Sequence, residues 1–267
     1  MITAEQVKAL REKTGAGMMD CKRALTAANG DMEAAIEQLR KSGIAKAEKK
    51  AARTTSEGKV ACTVKGGTAA MIDILCETDF AAKSDRFLAF VADTLAKTAG
   101  LSGNGDVSAE INALAADELV SKIAVIGENM QIRRALRWES AGHLCSYLHG
   151  EGRIGVMVDV EGADSEELLK DICMHIAAFR PEYITPDEIP AEKIAKEREI
   201  ALASDPKLAG KPAQMIDKIL DGKLNKWMGE VALVRQPWIR DDKTCLAKLY
   251  PNLKILRFAR WEVGEEL

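Results

Sequence analysis

The sequence predicts an α+β fold in which a small helical module precedes a duplicated core with antiparallel sheets, the second copy carrying an inserted helical hairpin. Three observations carry this prediction. Residues 129–139 (Asn-Met-Gln-Ile-Arg-Arg-Ala-Leu-Arg-Trp-Glu) can be laid over residues 252–262 (Asn-Leu-Lys-Ile-Leu-Arg-Phe-Ala-Arg-Trp-Glu), with Asn, Ile, two Arg, Trp and Glu coinciding. Each copy closes a block of two apolar strands and a helix, residues 60–99 in the first and 144–179 in the second. Two strands and one helix leave a sheet face bare, so each block needs a third strand, the one ending in Arg-Trp-Glu.

The elements follow in order. Thr3 and Gln6 form a capping box that opens a helix with Val7 and Leu10 on one face. Thr14-Gly15-Ala16-Gly17 breaks it, and residues 18–28 make a second helix. Asn29-Gly30-Asp31 turns the chain, and Asp31 caps a third helix with Met32, Ile36 and Leu39 inward. Three helices in about forty residues bury a marginal core, so this module is expected to lean on a partner. Adjacent Met18 and Met19 cannot be buried equally on a helix; one is read as core, the other as a soft apolar contact surface. The basic run of residues 46–53 reads as a solvated helical linker.

Residues 60–64 and 71–76 read as short strands around the Gly66-Gly67 turn. Phe87, Phe90, Val91, Leu95 and Ala96 recur at helical spacing, and Thr78 or Asp79 can cap that helix. The motif Cys76-Glu-Thr-Asp-Phe-Ala-Ala-Lys83 thus sets a large ring beside a carboxylate where a strand gives way to a helix. Phe80 is either a staple against its own helix or a ring offered to a partner. Residues 102–105 form a glycine-rich loop, followed by a helix from about Ser108 to Ile126.

In the second block, residues 186–190 introduce a helix with Ile194, Ala201 and Leu202 on one face. Asp205-Pro206 and Gly210-Lys211-Pro212 break it, and Met215, Ile216, Ile219, Leu220, Leu224 and Trp227 recur at i, i+3 and i+4. This reads as an antiparallel helical hairpin. The partition is therefore 1–53 for the helical module and linker, 54–140 for the first core subdomain and 141–184 for the start of the second. Residues 185–229 are the hairpin and 230–267 the closing strand.

Composition narrows the function. Lys and Arg number 38 against 41 Asp and Glu, a formal net charge of -3, which lacks the basic excess of a general nucleic-acid binder. No apolar stretch is long enough to cross a membrane, and no secretory leader is evident. The six cysteines, Cys21, Cys62, Cys76, Cys145, Cys173 and Cys245, show no Cys-x-x-Cys pairing and suit buried free thiols in a reducing cytoplasm.

No catalytic constellation emerges. Gly150-Glu-Gly-Arg-Ile-Gly155 satisfies the dinucleotide fingerprint by letter, but residues 154–160 alternate as a strand, so no helix N-terminus faces the glycines. They read as a hairpin turn. No phosphate-binding Gly-Lys-Ser/Thr loop exists. Asp241-Asp242 and Glu166-Glu167 read as solvated pairs. His143, Cys145 and His149 lack a fourth metal ligand. His175, in the apolar helix 172–179, reads as a core residue.

A resemblance organises these features. Leu10-Arg-Glu-Lys-Thr-Gly-Ala-Gly-Met-Met-Asp-Cys-Lys-Arg-Ala-Leu25 resembles the N-terminal signature of the translation elongation factor Ts family, and Glu77-Thr-Asp-Phe80 its second signature. Further matches are Tyr147-Leu-His-Gly-Glu-Gly-Arg-Ile-Gly155, Met174-His-Ile-Ala-Ala178, Gln236-Pro237 and Arg260-Trp-Glu-Val-Gly-Glu265, in family order across nearly the whole chain. The resemblance implies a ubiquitin-associated-like (UBA-like) N-terminal module, a duplicated core and a coiled-coil arm. It implies guanine-nucleotide exchange on the translational GTPase elongation factor Tu (EF-Tu) in a bacterial-type cytoplasm, with no catalytic site, cofactor or metal. The implied complex is 1:1, a homodimer or a 2:2 assembly being the alternatives, without direct nucleic-acid or membrane contact.

By motif position, the resemblance assigns Asp79 and Phe80, with Thr78, to a wedge against the phosphate and Mg²⁺ region of the GTPase. Arg11, Met18, Met19 and Lys22 form a patch against its nucleotide domain. Ile126, Gly127 and His149 meet a helix on the guanine side, and Ile239 and Arg240 touch a second EF-Tu domain. Arg240 departs from the apolar residue expected there. Ala81 stands where valine is frequent, and Lys83-Ser84 replaces an Arg-Asn pair. The chain ends at Glu265-Glu266-Leu267, without the C-terminal helix that some members carry. The rival readings are a peptide-binding adaptor, after the UBA-like module, and a dinucleotide enzyme.

Overall fold

The computed structural model describes residues 2–163, 165–208 and 212–266. It has the α+β architecture, and the described residues divide into two compact units: residues 2–139 with 148–155 and 261–266, and residues 140–147 with 156–260.

The first unit begins with three capped helices. Thr3 Oγ1 accepts from Gln6 N at 3.2 Å while Gln6 Oε1 accepts from Thr3 N at 3.0 Å, opening α1 (Ala4–Thr14), whose Val7 and Leu10 are buried. Gly15 ends it at φ 67°, a left-handed value that glycine adopts without strain. Helix α2 (Met18–Ala27) buries Cys21, Ala24 and Leu25. Asp31 accepts from Ala34 N at 2.9 Å and caps α3 (Met32–Lys50), which buries Ala35 and half-buries Met32, Ile36 and Leu39.

Two expectations about this module are corrected. Neither Met18 nor Met19 is core; they are 60% and 61% exposed, because the inward positions of α2 fall on Cys21, Ala24 and Leu25. The basic run is no separate linker either. Residues 46–50 continue α3, and Ala47 is buried in the core of the unit.

A β-hairpin follows, β1 (Glu57–Lys65) and β2 (Thr68–Cys76), antiparallel from Glu57 opposite Cys76 to Lys65 opposite Thr68. The predicted single helix is two: α4 (Asp79–Ala82), and α5 (Asp85–Gly100) capped by Ser84, whose hydroxyl accepts from Phe87 N. Phe87, Phe90 and Val91 are buried, but Ala96 is exposed and Thr94 and Thr98 take the inward positions instead. Gly105, predicted as the end of a loop, instead begins the two-residue strand β3 (Gly105–Asp106). Helix α6 (Ser108–Ile126) and β4 (Met130–Glu139) complete a sheet of order β1-β2-β4-β3. Ile72 and Ile74, Phe87 and Phe90, Ile111 and Ile123, and Ile132 form its core. Helix α3 packs into the same unit, with Gly43 against Ala124 and Val120 and Lys50 Nζ donating to Ile123 O at 3.3 Å. The N-terminal module thus finds its support in α6.

The second unit contains most of β5 (His143–His149) and β6 (Ile154–Glu161), then α7 (Glu166–Phe179), capped by Ser165. Helices α8 (Ala191–Ala203) and α9 (Ala213–Val231) form the hairpin around Ala201, Leu208 and Leu220, with Arg198 bonding Asp217 and Asp221 across it. Leu202 is exposed rather than inward. Of the predicted break, Gly210 and Lys211 lie outside the described residues, as does the terminal Leu267. The strands β7 (Pro237–Trp238) and β8 (Asp241–Cys245) pair, helix α10 (Leu246–Leu249) follows, and β9 (Lys254–Glu262) closes the sheet β5-β6-β9. Asp241 and Asp242, predicted as solvated, are exposed at the start of β8.

The internal repeat has a physical meaning. Arg134 Nε donates to the buried Asp73 at 3.0 Å, and its counterpart Arg257 donates to the buried Asp159 at 2.9 Å. Likewise Arg137 Nε donates to Ala99 O at the end of α5, and Arg260 Nε to Ala177 O near the end of α7. Each Arg-Trp-Glu strand therefore satisfies late carbonyls of its own block's helix, which have no partner within the helix.

Candidate partner-binding site

The Thr78-Asp79-Phe80 segment is a short, doubly anchored turn. Thr78 has extended backbone, and its Oγ1 accepts from Ala81 N at 3.2 Å, capping α4. Ala81 and Ala82 are buried, which commits Asp79 and Phe80 to the outer side of the same turn. Phe80 is 84% exposed. It is no staple. The burial of its neighbours holds this aromatic ring in water.

Asp79 Oδ2 pairs with Lys83 Nζ at 2.8 Å, one helical turn on, and the lysine hydrogen bond holds the Asp79 carboxyl below the usual range. Lys83 is raised in turn, first by that hydrogen bond and further by the charges of Glu151 and Glu57.

The second anchor is Glu128, which local sequence pattern does not mark. Its Oε2 accepts from Glu77 N at 3.1 Å and Thr78 N at 3.0 Å, and its Oε1 from Thr78 Oγ1 at 2.7 Å. Glu77 reciprocates, its Oε1 accepting from Asn129 N at 2.6 Å and from Arg53 at 3.4 Å. The Asn129 amide donates to Arg53 O at 2.8 Å. The bonds between residues 77–78 and 128–129 span fifty or more residues of sequence, so periodicity carries no trace of them. Burial, and then the Glu128 charge, push the Cys76 thiol up to about 12, so it is no nucleophile.

The same contacts bring Thr78 beside the end of α6. Ile126 is half-buried against the core. Gly127 caps α6 at φ 92°, its N–H donating to Ile123 O at 3.0 Å. His149 is the exposed last residue of β5. The turn after it is held to the β1 edge, with Lys59 Nζ donating to Glu151 O at 2.6 Å and Arg153 pairing with Glu57 at 3.2 Å. Gly150–Gly152 is a single 3-10 turn that leads into the strand β6, so no α-helix N-terminus faces the glycines.

Met18 and Met19 line a shallow groove with Arg11, Lys22, Val7 and Ile2, apolar at its floor and basic at its rim. Ile239 and Arg240 lie in the other unit, between β7 and β8. Arg240 makes a two-pronged bond to Asp171 at 2.9 and 2.6 Å, which gives this departure from an apolar residue a local partner.

Among the described residues no cluster of His, Cys, Asp and Glu is placed to hold a metal ion, and no helix is long and apolar enough to cross a membrane. None of the six cysteines is in a disulfide; Cys21, Cys76 and Cys173 are buried and Cys62, Cys145 and Cys245 partly so.

The profile of the elongation factor TS family matches residues 77–265, from the first residue of the Phe80 motif to Glu265. The chain belongs to the elongation factor Ts family. It is similar to the elongation factor Ts of Thioalkalivibrio sulfidiphilus, at 47% identity over 99% of this chain and 92% of that protein. It is similar at 44% to that of Methylococcus capsulatus and at 45% to that of Alkalilimnicola ehrlichii, with the same coverage. Membership makes this chain an elongation factor of translation.

Proposed function

We propose that the chain is a guanine-nucleotide exchange factor for EF-Tu, working as a wedge rather than as a catalyst with reacting residues. A protein that binds the GTPase better without GDP and Mg²⁺ must weaken their binding by the same factor that they weaken its own. Phe80 enters an apolar slot of the GTPase, and Asp79 competes for polar contacts around the Mg²⁺ and phosphate region. Displacing the elements that hold the nucleotide removes donors from the phosphates, where each charge-assisted hydrogen bond is worth roughly 1.5–3 kcal/mol. Losing two or three of these speeds release by several powers of ten.

The observation that carries this reading is the 84% exposure of Phe80 on a turn whose neighbours Ala81 and Ala82 are buried. The family supports it. The methionine groove, the end of α6 with His149, and the Ile239-Arg240 turn supply further contact surface in a 1:1 complex.

The test is stopped-flow release of fluorescent GDP from EF-Tu of the same organism, in excess unlabelled nucleotide. Substoichiometric chain should accelerate release with turnover. An unchanged rate would sink the proposal.

A further inference from the structure

We propose that Glu128 is a positioning residue for Phe80, holding the wedge in its working orientation through the backbone of residues 77–78 rather than touching the partner through its own side chain. The inference rests on the exchange reading above and deepens it.

The turn that carries Phe80 is a single turn of helix, too short to hold its own geometry by helical hydrogen bonding. Its orientation must be imposed from outside. Ala81 and Ala82 fix its inner side, and Glu77 and Cys76 hold the strand end through Asn129 N and Thr78 O. The Glu128 carboxylate is the anchor that grips the backbone directly before the turn. Three donors, Glu77 N, Thr78 N and Thr78 Oγ1, converge on its two oxygens within 3.1 Å. Thr78 Oγ1 simultaneously accepts from Ala81 N, so one hydroxyl links Glu128 to the first turn of α4. Glu128 is itself tied down, since Gly127 before it caps α6 and Asn129 after it is held by Glu77. A carboxylate is suited to this place because it only accepts, and every group facing it here donates. Preorganisation of this kind raises productive binding by cutting the ordering cost at contact.

The experiment is a double-mutant cycle, Glu128→Ala with Phe80→Ala, read by labelled-GDP release from EF-Tu beside a thermal melt of each variant. Glu128→Ala should slow release on the order of tenfold, a misplaced group costing up to about a hundredfold. In the Phe80→Ala background it should change little, because the ring it positions is gone. Glu128→Gln should retain most of the rate, because its oxygen can still accept from Glu77 N and Thr78 N while its amide nitrogen donates to the Thr78 hydroxyl. Should Glu128→Ala destabilise the fold, Thr78→Val replaces it in the cycle, removing one donor and the cap with the same dependence on Phe80 expected. Unchanged release in Glu128→Ala, or an equal loss in both backgrounds, would overturn the assignment while leaving the wedge intact. If Phe80→Ala alone leaves release unchanged, the wedge reading falls, and the role of Glu128 with it.

Discussion

His175 Nε2 lies 2.9 Å from Gln236 Oε1 in the interior of the second unit, and this contact makes a structural clasp of the Gln236-Pro237 pair. The Gln236 amide nitrogen donates to Phe179 O at 3.1 Å and to Glu230 O at 2.7 Å. Its oxygen must therefore face the imidazole, which places the proton on His175 Nε2. The ring stacks between Phe179 and Trp238, at 4.6 and 5.1 Å between centroids, and its Nδ1 is buried without a partner. One side chain thus joins α7, the end of α9 and the start of β7.

Two outcomes follow from this clasp. Gln236→Ala should cost about 1–3 kcal/mol, the penalty for leaving buried partners unsatisfied. Burial also lowers the His175 pKa from 6.5, the Gln236 bond opposing it. The unfolded chain then takes up the proton first, so stability is constant above pH 6.5 and is lost as pH falls below it. Urea melts at pH 7.5 and 5.5 measure both effects. The acid loss should shrink in His175→Asn, and an equal loss in that variant would show that other groups set the slope.

The helical hairpin should be dispensable for folding. Its base is pinned outside the helices by Leu233 N to Tyr183 O at 2.8 Å and Val234 N to Ile184 O at 3.1 Å, and its apolar contacts are largely its own. Replacing residues 185–228 with a short Gly/Ser linker should leave a cooperative melt and reduce exchange modestly. Loss of cooperative unfolding would place the hairpin within the core.

Met18→Ala with Met19→Ala should weaken association with EF-Tu by about 1–3 kcal/mol. Because both side chains are more than half exposed, stability should move by no more than about 0.5 kcal/mol. Titration calorimetry against nucleotide-free EF-Tu, beside a melt, separates the two. Undiminished affinity would remove the pair from the interface.

Legibility in the sequence tracked the range of the interaction. The Thr3-Gln6 box, the Asp31 cap and α6 at Ser108–Ile126 follow from residues within a turn or two of one another. The duplicated Arg-Trp-Glu ending predicted two third strands because it repeats. What escaped prediction is set by distant or competing groups. Ser84 caps a second helix where the apolar spacing suggested one. Thr98 is inward on α5, its hydroxyl donating to Thr94 O at 2.8 Å, while Ala96 faces out. Among the site residues, the exposure of Phe80 was one of two open readings, decided by the burial of Ala81 and Ala82. Glu128 was invisible because its partners lie about fifty residues away.

The most direct measurement is the exchange rate of Phe80→Ala and Asp79→Ala, singly and together, beside the thermal melt of each. A ring in water leaves no cavity when truncated, so Phe80→Ala should unfold within about 0.5 kcal/mol of the parent. A buried phenylalanine would cost about 3–5 kcal/mol instead. GDP release accelerated by Phe80→Ala should fall by about tenfold or more, as for an aromatic hot spot. The two changes together should cost less than their sum, since both residues act on one displaced element of the GTPase. A destabilised Phe80→Ala that exchanges normally per folded molecule would contradict the account.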